Sequence, residues 1–222
     1  MFDRIASHYD AMNSLMTAGL HHRWRARAAD RAALGPGDSA LDVCCGTGDL
    51  ALELAGRVGP SGSVIGCDFS EPMLDLAREK AQERGEGGVR FEWADALELP
   101  FDEGRFDAVT VGFGVRNLAD LDRGLREMAR VLAPGGRLVI LEITQPRRPP
   151  LSTFYSLWFD RIVPLLGAAA GDRDAYSYLP ESVRSFPAPL ELAAKMDAAG
   201  FGSISYTVLA GGIIAIHGGV RR

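Results

Sequence analysis

Apolar positions follow two alternating rhythms along this chain. Short apolar runs with strand character lie at Ala40–Cys44, Val64–Cys67, Val89–Trp93, Phe106–Val111 and Arg137–Ile143. Between them apolar residues recur at helical spacing over Asp49–Val58, Glu71–Arg84 and Leu118–Leu132. An Arg- and Ala-rich helix is predicted over Leu20–Leu34, stopped by Gly35-Pro36-Gly37. Ser70 is the candidate N-cap of the helix that follows it, and Pro72 is harmless in a first turn, where its missing N–H has no partner to lose. Pro134-Gly135-Gly136 reads as a tight break leading from a helix into the fifth strand.

Strand and helix in this beat imply right-handed βαβ units and a parallel sheet covered on both faces, a doubly wound α/β domain. The beat stops at Pro146. From "PRRPPLSTFYSLWFDRIVPLLGAAAG" to "YSYLPESVRSFP" the text is Pro-rich and aromatic-rich and reads as an insertion forming a cap. A last helix over Pro189–Ala199 ends at Gly200, a good residue just past a helix end. Two strand-like runs, Ile204–Leu209 and Ile213–His217, flank Gly211-Gly212 and should pair antiparallel as a closing hairpin. The expected organisation is one domain over 1–222, with an N-terminal helical region at 1–38, a core at 39–145, the cap at 146–186, and a C-terminal helix and hairpin at 187–222.

Composition narrows the function classes. A net charge of −5, with no local basic block, argues against nucleic-acid binding, which depends on neutralising phosphates. Cys44, Cys45 and Cys67 make neither a disulfide framework nor a zinc-ligand spacing, so no metal is expected and a reducing, cytoplasmic setting fits. "MFDRIASHYD" lacks a signal-peptide core, and the run around Ile162–Gly171 is broken by Pro164 and too short to span a bilayer. Any membrane contact is expected to be peripheral.

In an open α/β sheet the ligand lies beyond the carboxyl ends of the strands, at the switch point. "LDVCCGTGDL" (Leu41–Leu50) runs from the first strand into a loop where Gly46 and Gly48 let the backbone turn and approach a ligand. Asp68, at the end of the second strand, is placed to accept the two hydroxyls of a ribose, with Phe69 beside it. Asp95-Ala96, after the third strand, offers a carboxylate and a backbone N–H to an adenine edge. Each has a plainer reading: Asp68 as a charge at a helix start, Asp95 as a turn former. Three strand ends in register favour the adenosine site. Asp49 puts a negative charge where a dinucleotide's pyrophosphate would lie, whereas carboxylates such as Asp42 or Asp49 suit a sulfonium, so charge favours S-adenosylmethionine over NAD. Cys44 takes a position where a small side chain is wanted and positive φ is not required; Cys45 is expected to face the cofactor's methionine part. With no base beside them, both are read as wall, not nucleophile.

At these residues the chain resembles the class I S-adenosylmethionine methyltransferases, whose first motif appears as Asp42-Val43-Cys44-Cys45-Gly46-Thr47-Gly48. "YDAMNSLMTAGLHHRW", "LPFDEGRFDAVTVGFGVRNL", "RVLAPGGRLVILEI" and "YSYLPESVRSFP" narrow this to a resemblance to the quinone C-methyltransferases of menaquinone and ubiquinone biosynthesis, over nearly the whole chain. The resemblance implies a Rossmann-like sheet, S-adenosylmethionine as cofactor, and cofactor contacts at Thr47, Asp68, Asp95 and Ala96. A family serine falls on Gly112, Asp95 stands where many members have Asn, and Thr17, Ala133 and Thr144 are milder departures. It further implies methyl transfer to a ring carbon of a prenylated quinol, with demethylmenaquinol preferred to a benzoquinol. Arg116 is the candidate to polarise the quinol oxygen and Asn117 to orient it, against the alternative of Arg116 as a salt bridge fixing its loop. Tyr9, Asp10, His21 and Tyr178 are candidates for the substrate mouth, although His8, His21 and His22 read singly as surface or packing histidines. The stripe Leu151, Phe154, Trp158, Ile162 and Leu165 is either core or an apolar cap receiving the tail or a membrane surface. A homodimer would be unsurprising. A methyltransferase acting on O or N of another small molecule, an NAD-linked oxidoreductase and a non-catalytic scaffold stay open as alternatives.

Overall fold

The computed structural model describes residues 14, 17, 19–146, 149 and 181–222. Its elements run α1 (Leu20–Arg31), β1 (Ser39–Val43), α2 (Asp49–Val58), β2 (Ser63–Asp68), α3 (Glu71–Glu83), β3 (Val89–Trp93), β4 (Phe106–Gly112), α4 (Leu121–Val131), β5 (Leu132–Ile143), α5 (Pro189–Ala198), β6 (Phe201–Leu209) and β7 (Ile214–Arg221). Most of the expected cap, with Trp158 and the rest of its apolar stripe, lies outside the described residues, as do His8, Tyr9, Asp10 and Tyr178.

The strands form one sheet in the order β3-β2-β1-β4-β5-β7-β6. β1 pairs in parallel with β2 and β4, and β7 inserts antiparallel between β5 and β6. The reversal of strand order falls between β1 and β4. There the loops after the two strands diverge to opposite faces and leave a crevice.

Alternation along each central strand explains why both faces are buried. Leu41 and Val43 of β1, Val109 and Val111 of β4, and Leu138 and Ile140 of β5 pack with Leu125 and Met128 of α4 and Leu192 and Met196 of α5. Ala40, Ala108 and Val139 face the other way, against Trp24 and Ala28 of α1, Leu50 and Leu54 of α2, and Leu74 and Ala77 of α3. No face is left to water, so the central strands read as near-continuous apolar runs.

Several boundaries differ from the sequence reading. α4 starts at Leu121, because Val115–Asn117 is a separate 3-10 turn and Asp120 caps the helix by accepting from the Arg123 amide at 2.9 Å. β5 starts at Leu132, paired with Phe106, so Pro134-Gly135-Gly136 is an irregularity inside the strand and not a break ahead of it. Ser70 stands at the N-cap of α3 but makes no capping bond with its side chain; its own amide donates to Asp68 Oδ1 at 3.0 Å. The closing hairpin is antiparallel as expected, with longer strands, and turns through Gly211 and Gly212. No described helix is long and apolar enough to cross a membrane.

Candidate active site

A cleft of about 260 Å³ opens beyond the carboxyl ends of β1 to β4. Cys44 and Gly46 come from the loop after β1, Asp68 and Phe69 from the end of β2, Ala94 to Leu97 from the segment after β3, and Gly112 to Gly114 with Asn117 and Leu118 from the end of β4. Of the residues picked from sequence, Gly46, Asp68, Phe69, Asp95, Ala96, Gly112 and Asn117 therefore line this one cleft. Thr47, Gly48 and Arg116 do not.

Asp68 closes the glycine loop as well as facing the cleft. Its Oδ2 accepts from the Gly46 amide at 2.9 Å and its Oδ1 from the Ser70 amide at 3.0 Å. Asp95 likewise turns its own segment, Oδ1 accepting from the Leu97 amide at 2.8 Å, so the turn-former reading and the cleft position hold together. Gly46 has φ +54° with open space where a Cβ would point. Gly48 has φ +80°, and a Cβ there would lie 2.8 Å from the Phe91 ring, so that glycine serves helix packing against the sheet.

Thr47 is buried with its hydroxyl turned to Lys80, whose Nζ donates to Oγ1 at 3.0 Å. Asp49, one of the two carboxylates weighed for a sulfonium, is also engaged by cations of the chain. Its carboxylate takes Lys80 at 2.7 Å and Arg25 at 3.2 Å. Burial alone would raise the Asp49 pKa, but Arg25 and Lys80 outweigh it and hold the carboxyl below its usual range. Asp42 is no free charge either. Burial pushes its pKa up to about 7 against the Thr110 hydroxyl, which donates to Oδ1 at 2.6 Å, and the Arg25 charge.

The two cysteines exchange the places expected of them. Cys44 lines the cleft, while Cys45 points into the packing near Gly66 and Phe91. Cys44 has φ +54°, so the position does ask for a left-handed backbone, contrary to the sequence reading. Burial pushes all three thiols up, with the carboxylates Asp68 and Asp42 adding to it at Cys44, so they stay protonated at neutral pH. Wall, not nucleophile, is the reading the structure keeps.

Arg116 reports the alternative weighed for it. Its Nη1 donates to Glu142 Oε1 at 2.8 Å and to the Phe113 carbonyl, and its amide reaches Glu142 Oε2 at 3.3 Å. Both side chains are almost wholly buried, 8% and 2% exposed, so the pair fixes the turn after β4. Asn117, next along that turn, does reach the cleft, and its Oδ1 is buried without a hydrogen-bond partner among the described residues. His21 is a packing histidine. Arg25 donates to its Nδ1, so Nε2 carries the proton toward Ser14 Oγ at 3.0 Å. His22 is exposed. Glu142, Met73, Phe113 and Gly114 went unrecognised in the sequence; Phe113 and Gly114 stood in the "FGVRN" text, but Glu142 and Met73 gave no signal beyond an apolar strand and helix.

A β3-β2-β1-β4-β5-β7-β6 sheet with a ligand cleft at its switch point, a glycine loop and acidic strand ends define a class I methyltransferase. Solved structures agree in fold: the YcgJ protein of Bacillus subtilis superposes with a TM-score of 0.67 at 20% identity, over 90% of this chain and 99% of that one. An S-adenosylmethionine-dependent methyltransferase of Aquifex aeolicus gives 0.63 at 20% identity, over 85% of each chain. More particularly, the chain belongs to the ubiE/COQ5 methyltransferase family, whose model matches residues 1–221. It is 51% identical over 222 residues to the demethylmenaquinone methyltransferase of Thermus thermophilus, covering all of both chains. It is also 41% identical to the ubiquinone/menaquinone biosynthesis C-methyltransferase of Idiomarina loihiensis, covering all of this chain and 89% of that one.

Proposed function

We propose that this methyltransferase transfers the methyl group of S-adenosylmethionine to a ring carbon of a prenylated quinol, demethylmenaquinol before a benzoquinol. The observation that carries the reading is the full-length match to the demethylmenaquinone methyltransferase of Thermus thermophilus. The 41% match to a protein of both pathways keeps the benzoquinol as the second substrate to test.

The cleft suits the cofactor. Space stands open over the Gly46 backbone, Asp68 lines the cleft where a carboxylate suits ribose hydroxyls, and Phe69, Met73, Ala94 and Leu97 give apolar walls for a purine beside the Asp95-Ala96 edge. S-adenosylmethionine, when bound, supplies an electrophilic methyl group on a sulfonium. The chain's own task is to hold the quinol ring in line and favour the ionised oxygen that makes its carbon nucleophilic. Asn117 takes the orienting role on the wall, its amide donating to that oxygen. Arg116, engaged with Glu142, acts as a positioning residue for the turn that carries Asn117. The half-buried, protonated Cys44 offers a small uncharged wall, and the proton displaced from the ring carbon passes to water. The apolar stripe around Trp158 is assigned to the isoprenoid tail or a membrane surface.

Titration with S-adenosylhomocysteine against NAD tests the cofactor. Tight binding of the former is expected, weakened roughly tenfold or more by Asp68→Asn, which removes a charged acceptor; binding of NAD alone would overturn the reading. Turnover of reduced demethylmenaquinol beside its benzoquinol counterpart tests the substrate. The naphthoquinol is expected to be consumed, and consumption of the benzoquinol alone would reverse the assignment.

A further inference from the structure

Next to the glycine loop three elements meet at one carboxylate. Asp49, at the first turn of α2, receives Arg25 Nη1 from α1 at 3.2 Å, Lys80 Nζ from α3 at 2.7 Å and, more distantly, Arg84 at 3.9 Å. The Asp49 and Arg25 side chains are each 8% exposed, so this is a desolvated cluster and not a surface pair. Arg25 and Lys80 already fill the place a metal cation would take beside Asp49, His21 and His22.

Arg25 does more than neutralise Asp49. Its guanidinium carbon lies 5.8 Å from the centroid of the Phe113 ring, within reach of a cation–π contact. Phe113 lines the cleft and holds φ +61°, a conformation an aromatic residue keeps only when its surroundings impose it. Arg25 also donates to His21 Nδ1, which orients the guanidinium from its own helix. One side chain on α1 thus touches Asp49, which follows the glycine loop, and the cleft-lining Phe113 after β4.

We propose that Arg25 is a positioning residue for the cofactor cleft, holding the Gly46–Asp49 loop and the Phe113 wall in one arrangement. This rests on the reading that the cleft takes S-adenosylmethionine. Removing Arg25 leaves Asp49 with Lys80, so the fold keeps a neutralised carboxylate while the link between Asp49 and the Phe113 ring is lost.

The test is calorimetric titration of S-adenosylhomocysteine into wild type, Arg25→Ala, Arg25→Lys, Phe113→Leu and the Arg25→Ala/Phe113→Leu double variant, with melting temperatures alongside. Arg25→Ala is expected to weaken binding roughly tenfold, and Arg25→Lys to recover part of it, since an ammonium keeps Asp49 but not the flat contact with the ring. The double variant is expected to bind no more weakly than the worse single one, the signature of residues acting through each other. A lowered melting temperature with affinity within about twofold of wild type would make Arg25 merely structural and overturn the proposal. If Arg25→Ala gives no folded protein, Arg25→Lys decides: weaker binding supports the proposal and unchanged affinity overturns it. Failure of the wild type to bind S-adenosylhomocysteine would instead remove the underlying reading, and the proposal with it.

Discussion

Cys44 keeps a left-handed backbone that costs a side chain about 1–2 kcal/mol, where a glycine would cost nothing. Its neighbour across the switch point shows how the site accommodates it. A Cβ built on Gly114 would lie 2.4 Å from Cys44 Cβ, so the space one residue takes at the end of β1 is space the other gives up after β4. Gly114→Ala should therefore destabilise the protein by roughly 1–3 kcal/mol in urea unfolding, as overpacking does. Adding Cys44→Gly should restore most of the loss; strictly additive effects would show that the two positions are independent. The sequence made Gly46, Asp68 and Asp95 readable because strand ends and spacing mark them. It hid the directions of Thr47 and Cys45, because a loop that reverses within a few residues decides side-chain facing by its φ values, which residue types do not reveal. The Arg116–Glu142 pair joins residues 26 apart in sequence, and a single chain carries no local mark of such a partnership.

At the scale of elements, β1 and β4 are the pair that builds the crevice, and one polar contact crosses between them inside the core. Asp42 and Thr110 face each other in register, the hydroxyl donating to the carboxyl. The Asp42 carboxyl has a folded pKa of about 7 against 3.8, so the native state binds its proton more tightly than the unfolded chain does. Stability should then fall as pH rises from the unfolded value toward 7, and level off above it. Asp42→Asn keeps an acceptor for Thr110 and removes the ionisation. Its stability relative to wild type should rise between pH 5 and pH 8 by on the order of 2 kcal/mol, read by urea unfolding at each pH. A difference that stays constant with pH would contradict the assignment. Apolar periodicity found every strand of the sheet, yet missed that β5 begins at Leu132, because an irregular stretch with Pro134 and two glycines breaks the period without breaking the pairing to β4. The hairpin strands were read short for a related reason: Gly202, Gly218 and Gly219 dilute the apolar signal in residues that still pair.

For the whole molecule, the alternation of strands and helices was enough to set the parallel core, and the closing glycine pair enough to set the antiparallel end. The insertion of β7 between β5 and β6 follows from neither, since a hairpin can join a sheet by either strand. The functional reading depends on more than the fold, which hosts many methyl acceptors. What it claims is a bond to carbon. The direct measurement is NMR of the product formed from S-adenosylmethionine labelled with 13C at its methyl group and reduced demethylmenaquinol. The label is expected on a ring carbon, as an aryl methyl, with one S-adenosylhomocysteine released per methyl transferred. A labelled methoxy group, or no transfer by protein that binds S-adenosylhomocysteine, would contradict the account.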